Sequence, residues 1–438
     1  MTDPLLDDLL DWLRIPSIST GGGDPADLHR AAEWAATRVR GAGGTAELVT
    51  IDGGNPLVVG DLAASSPDAP TVLIYGHYDV QGPGDLSLWS SDPFVPEIRE
   101  GRLYARGASD DKGNFLPLLH VACALARDGA LPVNVRVLIE GEEEAASHAV
   151  AQWIRADERR ADCAIVFDSD MADADTPAVT LGLRGIVMTN VDVRVAPRDL
   201  HSGVYGGTVA NALHVLHGML AQVVPGSDGR VREELREGIV PPDPAELASW
   251  ERLPPGAGEL AAVGANPVGD PADFYVRTGA DASLDVNEIR GGEPRTLVPA
   301  TAHATLSLRL AARQDPDRMA EVLSGLLRDA APPYAEVAIE TVRAAPALFD
   351  ASHASVALAT QALERAVGVA PVLTRSGGSI PAVAELGHRG IPTIVSGFAL
   401  SDDRIHSPDE SFRLTSLERG ERAARELYVS LAALPHHS

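Results

Sequence analysis

Imidazoles and carboxylates fall at the ends of apolar runs in this sequence. TVLIY (71–75) leads into Gly76-His77-Tyr78-Asp79, VNVRVLIE (133–140) into Gly141-Glu142-Glu143-Glu144, and AIVF (164–167) into Asp168. Asp110 and Asp111 occupy a glycine-containing loop ahead of an apolar helical pattern, and Ile405-His406-Ser407-Pro408 offers a second histidine far along the chain. Two imidazoles with several carboxylates suit borderline cations such as Zn2+, Mn2+ or Co2+ better than Ca2+, which prefers oxygen alone. Two such cations about 3.5–4 Å apart, sharing a carboxylate and a hydroxide, polarise a carbonyl for hydrolysis. Asp79 is placed to hold the second ring nitrogen of His77 if the chain is extended there. Singly, each residue has a plainer explanation. His77 and His406 read as loop histidines, Asp110-Asp111 as a helix N-cap, and Glu142–Glu144 as a solvated acidic turn. Three successive carboxylates beside a buried strand repel one another unless a cation is present. The coincidence at several strand ends therefore favours a metal site.

The elements that must position these residues follow from periodicity. Ala31, Ala32, Trp34, Ala35 and Val39 are spaced for a helix over 28–41, and Phe115, Leu116, Leu118, Leu119, Ala122 and Leu125 for one over 113–128. TVLIY, VNVRVLIE and AIVF read as strands buried on both faces. Strands separated by helices predict an α/β fold, a mainly parallel mixed sheet flanked by helices. The pattern changes near Leu183: VMTNVDVRV (187–195), ATLSLRL (304–310) and AEVAIETV (335–342) alternate like half-exposed strands. Helices are expected over 208–223 and 316–329, with a Pro/Gly/Glu-rich stretch from Pro225 to Gly269 between them. Beyond Ala351 the first pattern returns, with helices over 354–366 and 415–433 and strands near Val372 and Ile394. The expected organisation is a catalytic domain (1–184 and 347–438) interrupted at 185–346 by a smaller α+β domain of roughly 150 residues.

Composition narrows the function classes. Of 438 residues, 36 are Lys or Arg and 62 are Asp or Glu, a formal charge of −26. Such a chain is repelled by nucleic acid and by anionic membrane, so neither is an expected partner. No apolar run approaches the ~20 residues of a membrane-spanning helix. The N-terminus is acidic where a secretory signal is basic, and Cys123 and Cys163 lie in apolar segments, so a cytoplasmic protein without a disulfide framework is expected.

Seven motifs occur in a familiar order: G-H-Y-D-V-Q (76–81), W-S-S-D-P-F (89–94), L-Y-A-R-G-A-S-D-D-K-G (103–113), E-G-E-E-E (140–144), D-L-H-S-G-V-Y-G-G (199–207), R-S-G-G-S-I-P (375–381) and I-H-S-P-D-E (405–410). Together they resemble the carnosinase-type dipeptidases of the di-metal peptidases, a family that also contains aminoacylases, succinyl-diaminopimelate and acetylornithine deacylases, and carboxypeptidase G. Any one motif alone is weak evidence. The sequence departs from the resembled pattern at Gly82 and at Ala145-Ala146.

The resemblance implies a set of roles. His77 and Asp168 bind one metal, Glu144 and His406 the other, and Asp110 bridges both. Glu143 is the general base acting on a metal-bridging hydroxide, and Asp79 orients His77. His201, on the inserted domain, supports the oxyanion and in dimeric members reaches the partner's site. Arg309 holds the substrate's free carboxylate, with Thr296, Ser379, Gly378 and Gly377 as further substrate contacts. Asp168 is preferred to Asp170 as ligand because it follows AIVF directly; an aspartate there goes with dipeptidases and aminopeptidases in the family. Two divalent ions per subunit are implied, Zn2+ first and Mn2+ or Co2+ next. A homodimer built through the inserted lid domain is likewise implied. The expected activity is hydrolysis of dipeptides or dipeptide-like conjugates with a free C-terminal carboxylate. An N-acyl-amino-acid deacylase and a non-catalytic amino-acid or peptide-binding relative are the alternatives.

Overall fold

In the computed structural model, residues 3–145 and 147–435 are described; Ala146, one of the two alanines departing from the resembled pattern, lies outside them. The chain forms two compact units. The first comprises Met1–Leu181, Phe349–Thr374 and Ile380–Ser438, the second Gly182–Leu348 and Arg375–Ser379.

The first unit is built on a mixed sheet whose strands run in the order Thr45–Val49, Leu57–Leu62, Asn134–Glu140, Thr71–His77, Cys163–Phe167, Thr393–Ser396, Ala178–Leu183. The three central junctions are parallel: Thr71–His77 pairs with both Asn134–Glu140 and Cys163–Phe167, and the latter with Thr393–Ser396. Thr71–His77 and Cys163–Phe167 are buried along nearly their whole length, which is why they read as continuous apolar runs. The outer junctions are antiparallel.

The helix Pro25–Gly41 starts where Asp24 accepts a hydrogen bond from Ala26 N, and it buries Leu28, Ala31, Ala32, Ala35, Ala36 and Val39. Its Trp34 stacks on Trp12 of the helix Pro4–Leu13, the ring centroids 4.8 Å apart. Lys112–Arg127 and Leu414–Leu431 close the same core. Strands Thr45–Val49 and Leu57–Leu62 and helices His148–Ala156 and Pro381–His388 were not legible as periodic segments. Each is short, or borders glycine and proline.

The second unit carries an antiparallel sheet in the order Ser283–Gly291, Thr301–Leu310, Gly185–Arg194, Glu336–Ala344. Burial alternates along Gly185–Arg194, so one face packs on a separate apolar core with helices Ala212–Leu220 and Pro316–Asp329. The first of these is shorter than the expected 208–223, because Asn211 caps it by accepting from Leu213 N at 2.9 Å. The Pro/Gly/Glu-rich stretch is not featureless: it contains helices Pro244–Trp250 and Gly256–Ala262. Among the described residues no helix is long and apolar enough to cross a membrane.

Candidate active site

The carboxyl ends of the parallel strands gather the chemistry of the first unit, as the geometry of open α/β sheets leads one to expect. His77 ends its strand fully buried, with Nε2 3.0 Å from Asp110 Oδ1. His77, Asp110 and Asp168 each offer a donor atom within 4.8 Å of the others, and so do Asp110, Glu144 and His406. Asp110 is common to both groups, and His406 Nε2 lies 2.9 Å from Asp110 Oδ2 and 3.1 Å from Glu144 Oε1. The five side chains expected to share a site therefore meet, although His77 and His406 are more than 300 positions apart.

The neighbouring acids divide among different partners. Glu142 turns away and accepts from Asn55 N at 2.7 Å. Glu144 accepts from Gln81 Nε2 at 2.8 Å and faces His406. Glu143 lies between them on a 3-10 turn, Glu143–Ala145. Asp79 holds this turn: its Oδ1 accepts from Glu143 N at 3.3 Å, and its Oδ2 from Glu144 N at 3.2 Å. The Nδ1 of His77 is 3.0 Å from the Asp79 carbonyl and 3.4 Å from its carboxylate. Asp79 thus organises both groups from a buried position, itself receiving the Ser19 hydroxyl at 2.6 Å.

The helix-capping explanation for Asp110-Asp111 does not hold. Asp111 occupies the N-cap position of Lys112–Arg127, but its side chain caps no helix amide; Oδ2 instead accepts from His77 N at 3.2 Å. A side chain at Gly76 would collide with the Phe115 ring and with Asp111, so only glycine admits this approach.

Charge crowding is marked. Burial first, then the Asp111 charge, raises Asp168 well above the carboxylate range. Burial, with the charges of Asp110, Glu144 and Asp79 added, raises Glu143 to about 7. Burial would lower His77, but hydrogen bonds to Asp110 and Asp79 raise it well above its usual value. His406 is lifted to about 10 by its bonds to Asp110 and Glu144. Carboxylates crowded together in a buried place favour added positive charge, and the mixed nitrogen and oxygen donors here fit divalent cations of borderline character.

The structure also shows supports that were not singled out in the sequence. Glu140 is buried below the acidic turn, receives the hydroxyls of Tyr75 and of Ser147 (3.0 Å for the latter), and is raised by burial to about 8. Glu410 and Arg106 form a fully buried ion pair. Their only sequence signal was membership of the quoted motifs.

The remaining expected residues lie in the second unit. His201 pairs across a short antiparallel bridge with Leu297, next to Thr296, whose carbonyl accepts from Ser202 N at 2.9 Å. The His201 ring is exposed, and its Nδ1 accepts from Gly203 N. Arg309 approaches Ser379 Oγ at 3.4 Å, and Ser379 donates in turn to the Arg184 carbonyl. Gly378 N donates to Ser376 Oγ at 3.1 Å, and Gly377 lies against the Arg184 side chain and the Thr278 carbonyl. Burial lowers Arg309, and burial together with the Arg309 charge lowers Arg184 to about 10.

A family model described as peptidase family M20/M25/M40 matches residues 73–429. The chain belongs to that family. It is accordingly a hydrolase of the metallopeptidase kind. It is 26% identical over 398 residues to the Beta-Ala-His dipeptidase of Homo sapiens, covering 86% of this chain and 78% of that protein. It is 27% identical over 393 residues to a Cys-Gly metallodipeptidase of Schizosaccharomyces pombe, covering 83% and 80%. An M20 family metallo-carboxypeptidase from Sulfolobus solfataricus superimposes with a TM-score of 0.89 at 24% identity, covering 99% of this chain and 100% of that one. Human carnosine dipeptidase 1 gives a TM-score of 0.82 at 24% identity, covering 98% and 96%. These structures establish the fold: a mixed sheet with parallel central strands, flanked by helices.

Proposed function

We propose that this protein hydrolyses the amide bond of dipeptides, or of dipeptide-like amino-acid conjugates, that carry a free C-terminal carboxylate. The observation that carries the reading is the meeting of two nitrogen-and-oxygen donor groups at a shared Asp110. The named activities of the human and fission-yeast relatives point to the same substrate class.

In this reading His77 and Asp168 hold one divalent cation, Glu144 and His406 the other, and Asp110 contacts both. Zn2+ is the expected ion, with Mn2+ or Co2+ as substitutes. When bound, the cations supply positive charge that polarises the scissile carbonyl and acidifies water. Glu143 takes the proton of the attacking water and returns it to the departing amine nitrogen. Asp79 keeps the His77 ring and the Glu143–Glu144 turn in register. The Arg309 fork pairs with the terminal carboxylate, aided by Ser379, Gly378, Gly377 and Thr296. His201 donates to the oxyanion as the carbonyl becomes tetrahedral. The second unit then serves as a lid and as the dimerisation surface of a homodimer. The two buried, unpaired cysteines accord with a cytoplasmic setting.

The test is elemental analysis of the purified protein together with a hydrolysis panel under Zn2+, Mn2+ and Co2+. Turnover of Xaa–Xaa dipeptides with two bound ions per chain is the expected result. Hydrolysis confined to N-acetyl or N-succinyl amino acids would make it a deacylase. Binding without turnover under any metal would make it a non-catalytic relative.

A further inference from the structure

His406 poses a positioning problem. Its side chain is 51% exposed, so packing does not hold it, and it lies in a loop where Arg404, His406 and Asp409 all adopt left-handed backbone angles near +60°. Such non-glycine residues persist only where the surroundings determine them. One determinant is Asp409, whose carboxylate accepts from Ser90 N at 2.8 Å and from Ser90 Oγ at 2.7 Å.

Glu410 is the other. It is fully buried, and each of its oxygens takes two bonds from the loop that carries Asp110. Oε1 accepts from Ser109 N at 3.0 Å and from Asp110 N at 3.1 Å. Oε2 accepts from Gly107 N at 3.1 Å and from Arg106 Nη1 at 2.7 Å. The backbone of Glu410 adds a bond from Ala105 N at 3.1 Å, and the next residue, Ser411, pairs with Tyr104 across an antiparallel ladder. Asp403, earlier in the same loop, accepts from Ser109 Oγ at 3.0 Å.

A buried ion pair is poor evidence of stability, since apolar residues of similar size often do as well; its best-attested use is to specify a register. Here the register joins two segments about 300 positions apart that each bring one donor to the same place. We propose that Glu410, clamped by Arg106, is a positioning residue: it sets the distance between Asp110 and His406 and thereby the affinity of the Asp110–Glu144–His406 group for its cation, without itself contacting the ion. This rests on the metal-binding reading above.

The experiment measures Zn2+ and Co2+ binding to the metal-free full chain by competition with a chromophoric chelator. It is run on wild type and Glu410→Gln, with folding checked by circular dichroism and the bound Co2+ followed by its visible absorption. Residues that orient ligands typically change affinity about 10–100-fold when altered. Glu410→Gln is expected to weaken one of the two sites by that factor and to shift the Co2+ spectrum while the fold is retained. If Glu410→Gln does not fold, Glu410→Asp carries the test, since it keeps the charge beside Arg106 but withdraws from the Ser109 and Asp110 amides; at least fivefold weaker binding is expected. Wild-type affinity and spectrum in a folded variant, whatever its melting temperature, would overturn the proposal and leave the metal reading intact. A wild-type chain that binds no ion would overturn both.

Discussion

Replacing Glu143 with glutamine tests the chemistry while leaving its scaffold in place. The backbone of Glu143 is held by Asp79 at 3.3 Å, and Glu144 by the same carboxylate at 3.2 Å, so the turn does not depend on the side chain that changes. Neither convergent donor group includes Glu143, and all five proposed ligands remain. Glutamine has nearly the shape of glutamate but cannot accept a proton at neutral pH. A positioned general base contributes about 10²–10⁴-fold, or roughly 2.7–5.4 kcal/mol at 1.36 kcal/mol per decade. The variant is therefore expected to keep two ions per chain and the wild-type melting temperature while kcat falls at least a hundredfold. The assay is steady-state hydrolysis of a dipeptide at saturating metal, with metal content from elemental analysis of the same sample. More than about a tenth of wild-type kcat with metal retained would refute the reasoning. Loss of an ion along with activity would show Glu143 to be a ligand instead.

Three other outcomes are expected. Arg309→Ala removes a charge-assisted contact of about 1.5–3 kcal/mol, so kcat/KM for dipeptides with a free carboxylate should drop roughly ten- to 150-fold, with little change for the C-terminal amides; equal losses on both would mark Arg309 as structural. Glu246→Ala strands Arg375, whose guanidinium makes two 2.7 Å bonds to that carboxylate in a site 2% and 6% exposed, and should destabilise the second unit by about 3–5 kcal/mol in denaturant titration; an unchanged midpoint would show that the pair contributes nothing. Burial pushes the Cys123 thiol up to about 12 and raises Cys163 as well, so neither should be alkylated by iodoacetamide at neutral pH until the protein unfolds; rapid native labelling would contradict the packing.

The central parallel strands Thr71–His77 and Cys163–Phe167 were legible because burial on both faces demands nearly unbroken apolar residues; Asn134–Glu140 was legible although Arg136 interrupts it, its guanidinium reaching out to Asp61. Helix Pro316–Asp329 was legible to the residue, since its amphipathic period is bounded by a capping Asp315. Edge strands such as Thr45–Val49 were not, because half-exposed segments carry little pattern. Within Glu142–Glu144 the sequence alone shows three equivalent acids; the partners that tell them apart, Asn55, Asp79 and His406, arrive from other segments. Sequence by itself thus determined the residue types and the frame that would present them. Tertiary structure decided which atoms meet: the approach of His406 to Asp110 and the clamp of Glu410 on the Asp110 loop are contacts across some 300 positions, and no local propensity encodes a distance of that kind.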